Sequence, residues 1–128
     1  MRVLITGGAG FIGSNVAKSY LDLGNYEVHI FDNFSSGRRK NLPKNENLYI
    51  HEIDLKKEIS LWPNINAELI FHFSANADVR GGVIDRETDL KQNVLVTKSV
   101  CDYAKSNNCK HLVFASSAAV YGEPEIFP

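Results

Sequence analysis

The chain has little to offer several common functions, and those gaps narrow it first. Only two cysteines occur, Cys101 and Cys109, eight positions apart with no second Cys or His at ligand spacing. That excludes a disulfide framework and a cysteine-based metal site, so both are expected as reduced thiols. Excess charge of either sign is missing too: 14 Lys and Arg against 15 Asp and Glu leave a net charge of −1. Such a balance gives no electrostatic reason to expect a nucleic acid or a membrane surface as partner. No apolar run reaches the roughly 18 to 20 residues of a membrane helix, and the N-terminus enters a strand pattern at once, without the layout of a secretory leader. A cytoplasmic protein is expected. His29, His51, His72 and His111 share no ligand spacing and read as packed or surface imidazoles, so no metal is expected. Repeats and low-complexity tracts are absent. Hydrophobic residues at 44% and charged residues at 23% of 128 positions are ordinary for one globular domain, with little chain left for a second.

What the sequence does have is glycine in one place. Thr6 to Ser14 reads Thr-Gly-Gly-Ala-Gly-Phe-Ile-Gly-Ser, directly after the apolar Val3-Leu4-Ile5. Gly8, Gly10 and Gly13 satisfy G-x-G-x-x-G, and Gly7, Gly10 and Gly13 give an overlapping G-x-x-G-x-x-G. Either register places a glycine turn between a strand and a helix. A side chain there would block the approach of a pyrophosphate, and the helix that follows aims free N–H groups and the positive end of its dipole at such an anion. Asp32 follows Gly13 by 19 residues, close to the spacing of a carboxylate that accepts the hydroxyls of an adenosine ribose.

Hydrophobic period extends the pattern. Strands are expected at Arg2–Ile5, Val28–Asp32, Leu48–Ile50 (with Ile53 as a candidate extension), Leu69–Phe73 and Leu112–Phe114, all short and apolar as buried parallel strands are. A helix is expected from Phe11 to Leu23, stopped by Gly24-Asn25, and a long amphipathic one from Asp85 to Ser106 with Leu90, Val94, Thr97, Cys101 and Ala104 along one stripe. Between them, Asn33 to Leu42 reads as a loop with a short helical turn, Asp54 to Ser60 as a polar connection, and Gly81-Gly82 as a loosened loop. The alternation implies an α/β fold: a Rossmann-like, doubly wound parallel sheet, truncated after the fifth strand, with β5 presenting a bare edge. In such sheets ligands lie at the carboxyl ends of the strands. Here those ends carry Gly7, Asp32, Asp54, Ser74 and Ser116-Ser117, each polar or tiny.

Taken together, Thr6 to Ser14, Asp32-Asn33, Phe73 to Asp78, Asn93-Val94 and Ala115-Ser116-Ser117-Ala118-Ala119-Val120-Tyr121-Gly122 resemble the extended short-chain dehydrogenase/reductase family, and within it the NAD-dependent epimerase/dehydratase branch that acts on nucleotide sugars. The resemblance implies NAD as cofactor, a nucleotide sugar such as a UDP-hexose as substrate, and a homodimer for the full-length form. It implies that Gly7, Gly10, Phe11, Ile12 and Gly13 meet the pyrophosphate, and that Asp32, Asn33, Phe34, Ser35, Ser36 and Gly37 line the adenosine ribose end. Asp54 and Leu55 would flank the adenine. Phe73, Ser74, Ala75, Asn76 and Ala77 would underlie the nicotinamide side, with Asn93 nearby; the competing reading of Asn93 is a solvated helix residue. Ser117, four residues before Tyr121, takes the place of the catalytic hydroxyl that hydrogen-bonds the substrate oxygen. Ser116 competes for that role and otherwise borders the cofactor.

One departure matters. The proton-transfer pair of the family is Tyr-x-x-x-Lys, and the residues four places after Tyr20, Tyr26, Tyr49, Tyr103 and Tyr121 are Gly24, Ile30, Ile53, Asn107 and Glu125. The chain is therefore expected to be residues 1–128 of a NAD(P)-binding domain, without its C-terminal substrate domain and inactive alone. A nucleotide-sugar 4-epimerase is the leading reading for the parent enzyme. A 4,6-dehydratase usually carries an acidic pair where Ala118-Ala119 stand. A non-catalytic nucleotide-binding module, and an NADP-dependent reductase using Arg38 and Arg39 for a 2′-phosphate, are the alternatives; Asp32 opposes the last by charge.

Overall fold

Five short parallel strands organise the molecule. The computed structural model describes residues 1–78, 85–117, 120 and 122, so Gly81-Gly82, Ala118-Ala119 and Tyr121 lie outside the described residues. β1 (Arg2–Thr6), β2 (Glu27–Asp32), β3 (Leu48–Glu52), β4 (Leu69–His72) and β5 (His111–Phe114) form one sheet in the order β3-β2-β1-β4-β5. β1 runs one residue past its expected end because Thr6 pairs with Phe31 on one side and His72 on the other. β5 pairs with β4, its Leu112, Val113 and Phe114 are exposed, and among the described residues no further strand pairs with it.

Side chains alternate between the two faces, so consecutive apolar residues feed two cores. Val3, Ile5, Val28 and Ile30 meet Ala17 and Leu21 of α1 (Phe11–Asp22) on one face. Leu4, Phe31 and Ile70 meet the second helix on the other. α1 stops where Gly24 takes φ +77 and returns its N–H to the Leu21 carbonyl at 3.0 Å.

The second helix departs from expectation. It is built as α2 (Arg86–Asp89), a π-helical stretch at Leu90–Leu95, and α3 (Val96–Ser106). Hydrogen bonds from i to i+5 widen the turn there, so a stripe counted through Leu90–Leu95 in 3.6-residue steps does not keep to one face. Val96, Val100, Tyr103 and Ala104 are buried, whereas Leu90, Val94 and Cys101 of the expected stripe are exposed.

The β3-to-β4 connection is more than a polar link. It has a 3₁₀ turn at Ile59–Leu61, but Leu55, Trp62, Ile65 and Ala67 are buried within the second core. Tyr103 fastens it, donating its hydroxyl to the Pro63 carbonyl at 2.6 Å and accepting the Ile65 N–H at 3.1 Å. Among the described residues no helix is long and apolar enough to cross a membrane.

Candidate functional site

β1 has β2 on one side and β4 on the other, so the chain diverges in opposite directions beyond their carboxyl ends and opens a crevice. A cleft of about 210 Å³ lies there. Gly7 and Gly10 from the turn after β1 form one wall, and Asp32, Asn33, Ser35, Ser36 and Gly37 form the next. Asp54 and Leu55 close the β3 side, and Phe73, Ser74, Ala75 and Ala77 the β4 side.

The glycine turn is defined by close approach. Gly7 has φ +66, and a Cβ on it would stand 2.8 Å from the Ser74 nitrogen, so the ends of β1 and β4 touch only because no side chain intervenes. A Cβ on Gly13 would lie 2.6 Å from the Gly7 oxygen, which lets α1 seat directly on the turn. Gly10 caps that helix with extended backbone and no side-chain hydrogen bond, and the first turn carries no acidic residue. The amides of Phe11, Ile12 and Gly13 belong to this uncapped turn, where helices leave N–H groups without intrahelical acceptors. The side chains of Phe11 and Ile12 project away from the cleft and, with Val16, Tyr20 and Phe71, line a separate apolar groove.

Asp32 is only 8% exposed and is held by two backbone amides. Its Oδ2 accepts the Ala9 N–H at 2.9 Å, and its Oδ1 accepts the Phe34 N–H at 2.8 Å. A carboxylate has about four lone-pair sites, so two are still available to a ligand in the cleft. Gly37 makes the geometry possible, since a Cβ there would lie 3.0 Å from both carboxylate oxygens. Phe34, at φ +57, contributes its amide to Asp32, and its ring lies 4.2 Å beneath the Arg39 guanidinium. Arg39 also pairs with Glu52 at the end of β3. Asp54 turns its carboxylate onto the Lys56 amide at 3.0 Å.

Asn93 is no solvated helix residue. From the π-helical stretch its Oδ1 accepts the Asn76 N–H at 2.7 Å and its Nδ2 donates to the Asn76 carbonyl at 3.3 Å, with Asp89 accepting from both asparagine amides. Asn93 and Asn76 thus hold the strip that carries Ser74, Ala75 and Ala77 rather than lining the cleft themselves. Ser116 and Ser117 lie past the end of β5, exposed and apart from the cleft walls. Phe31, Ile53, Lys56, Gln92 and Val96 do line it and were missed. Lys56 read as part of a surface charge run, whereas Gln92 lies within the π-helical stretch and Val96 opens α3. Among the described residues no three His, Cys, Asp or Glu side chains converge as a metal site.

Chemically, the cleft offers a buried carboxylate for hydroxyl donors and small residues that admit a flat group between β1 and β4. The uncapped helix N-terminus beside it suits an anion. The profile of the NAD-dependent epimerase/dehydratase family matches residues 3–128. The UDP-glucose 4-epimerase of Corynebacterium glutamicum is 34% identical over 100% of this chain and 38% of its own length. A crystal structure of UDP-galactose 4-epimerase superposes with TM-score 0.84 at 39% identity, covering 98% of this chain and 41% of that one. The NAD complex of the UDP-glucose 4-epimerase from Thermus thermophilus gives TM-score 0.86 at 35% identity, with coverages of 98% and 41%. The chain thus spans about two fifths of the length of the curated relatives it matches.

Proposed function

Because the chain belongs to the NAD-dependent epimerase/dehydratase family, we propose that residues 1–128 are the NAD-binding Rossmann part of a nucleotide-sugar 4-epimerase whose sugar is a UDP-hexose. The observation that carries this reading is the Asp32 carboxylate, oriented by two amides at the rim of a cleft whose opposite side is the Gly7–Ser74 contact. The residues present fit the dinucleotide. Asp32 would take the adenosine ribose hydroxyls, with Asn33, Phe34, Ser35, Ser36 and Gly37 shaping that end. The amides of Phe11, Ile12 and Gly13, reached across Gly7 and Gly10, would take the pyrophosphate. Asp54 and Leu55 would flank the adenine, and Phe73 to Ala77, steadied by Asn93, would underlie the nicotinamide side.

When bound, NAD supplies the redox chemistry, reversible hydride exchange with C4 of the hexose. The protein binds and orients. Ser117 would hydrogen-bond the sugar oxygen that loses its proton, with Ser116 bordering the cofactor. This chain holds no Tyr-x-x-x-Lys, so we expect it to bind NAD without turning over sugar. The parent enzyme would be a cytoplasmic homodimer of carbohydrate metabolism with a separate substrate domain.

An NADP-dependent reductase is disfavoured by the engagement of Arg39 with Glu52 and Phe34 and by the charge of Asp32. Calorimetric titration of the chain with NAD and, separately, NADP, beside Asp32→Ala, tests the reading. NAD should bind in preference to NADP, and Asp32→Ala should weaken it by roughly tenfold or more, the value of about one charge-assisted hydrogen bond. A folded chain that binds neither nucleotide refutes the cofactor reading.

A further inference from the structure

His72 is 1% exposed, and its role is set by the groups on either side of its ring. Its Nδ1 lies 2.6 Å from Thr6 Oγ1, and its Nε2 lies 3.0 Å from Thr97 Oγ1. Thr6 Oγ1 also accepts the Ser74 N–H at 3.3 Å. Counting protons orders the series. Among the described residues no other acceptor meets the buried Thr6 hydroxyl, so the arrangement that leaves no buried donor idle has it donate to His72 Nδ1. The imidazole then carries its proton on Nε2 and donates it to Thr97, a partly exposed residue. Three bonds run in one direction: Ser74 N–H to Thr6, Thr6 O–H to His72, His72 Nε2–H to Thr97.

Each of the three side chains in the series is the sequence neighbour of a cleft wall. Thr6 precedes Gly7, His72 precedes Phe73, and Thr97 follows Val96, and all three neighbours line the cleft. The three come from β1, β4 and α3, which are far apart in sequence and share no backbone ladder beyond the β1–β4 pair. We propose that His72, as the neutral Nε2–H imidazole, is the positioning residue that sets the spacing of these three walls and so the nicotinamide half of the cleft. This rests on the cofactor reading above and extends it to a residue that touches no ligand. Burial keeps His72 neutral, with its pKa lowered from 6.5 to about 4, consistent with an imidazole that must accept at Nδ1.

The test pairs nitrogen-15 NMR of the ligand-free chain with NAD titration of variants. The His72 ring should show the Nε2–H tautomer at neutral pH; an Nδ1–H tautomer overturns the proposed direction. His72→Asn supplies an oxygen where Nδ1 stood and should keep the Thr6 bond, whereas His72→Leu should not. The leucine variant should weaken NAD by roughly tenfold, equivalent to about 1.4 kcal/mol, with the asparagine variant well short of that. In the ligand-free leucine variant the amide signals of Gly7, Phe73 and Val96 should all shift. Thr97→Val, which changes shape little, should give the same direction of effect if His72→Leu does not fold. Unchanged NAD affinity and unmoved amide signals in a folded His72→Leu chain refute the positioning role. A wild-type chain that binds no NAD refutes the cofactor reading instead, and the tautomer and amide shifts then decide the relay alone.

Discussion

Replacing Asp32 with asparagine should destabilise the chain before any ligand is added. Both carboxylate oxygens accept a backbone N–H, from Ala9 at 2.9 Å and from Phe34 at 2.8 Å. An asparagine keeps one acceptor and turns an NH₂ group toward the other amide, so one charge-assisted bond is exchanged for two opposed donors. Hydrogen bonds to charged groups contribute about 1.5–3 kcal/mol, and a buried unsatisfied donor costs about 1–3 kcal/mol more. If the Phe34 side, which is nearer solvent, takes the mismatch, the lower ends apply; Ala9 is fully buried and would bring the upper ends. A net loss of roughly 2.5–6 kcal/mol follows. For a chain of this length each kcal/mol moves Tm by roughly 4 °C, so Asp32→Asn should melt roughly 10–24 °C below wild type. Circular dichroism melts of the ligand-free proteins at neutral pH measure it. An unchanged Tm would mean that the carboxylate does not organise the loop in the free protein, and that Asp32 acts on a ligand alone.

Gly13→Ala should cost about 1–3 kcal/mol in urea denaturation, because the new methyl would lie 2.6 Å from the Gly7 oxygen and 2.7 Å from the Gly8 Cα, both backbone atoms with little room to yield. Stability should also fall with acid well above the carboxylate range. His72 and His29 each have a folded pKa lowered by burial from 6.5 to about 4, with the adjacent His51 adding to the shift of His29. The unfolded chain therefore binds more protons between those values, so stability is complete above about pH 6.5 and declines as pH falls toward about 4. For His72 alone that span corresponds to about 3 kcal/mol at most. Urea midpoints across this range test it, and a profile that is flat between pH 7 and 5 would contradict the burial of both imidazoles.

How much of this was legible without coordinates differs between parts of the site. The glycine turn, Asp32 and the strip from Phe73 to Ala77 were readable because each lies at the end of an apolar run, and strand ends in a parallel sheet share one rim. Asn93 was placed near the cofactor by resemblance, and the structure supplies the local reason, a two-way bond to the Asn76 backbone. The apolar stripe of the second helix was legible only in part: Ala104 is buried as expected, whereas Leu90, Val94 and Cys101 are exposed, because a 3.6-residue count does not hold its face through the π-helical stretch at Leu90–Leu95. Trp62, Ile65 and Ala67 fell between the segments that showed a period, since an irregular connection buries side chains without any repeat to announce it.

The sequence alone determined the class of sheet, the turn that needs glycine and the carboxylate at the end of β2, because each follows from backbone geometry within a few residues. Only the tertiary structure decided which atoms those groups would face. His72 looks like any strand histidine until the β1–β4 register sets Thr6 beside it from 66 positions away and α3 brings Thr97 to its other nitrogen. Hydrogen bonds act over about 3 Å and need direction, so their partners are fixed by packing, which local patterns of apolar residues do not specify.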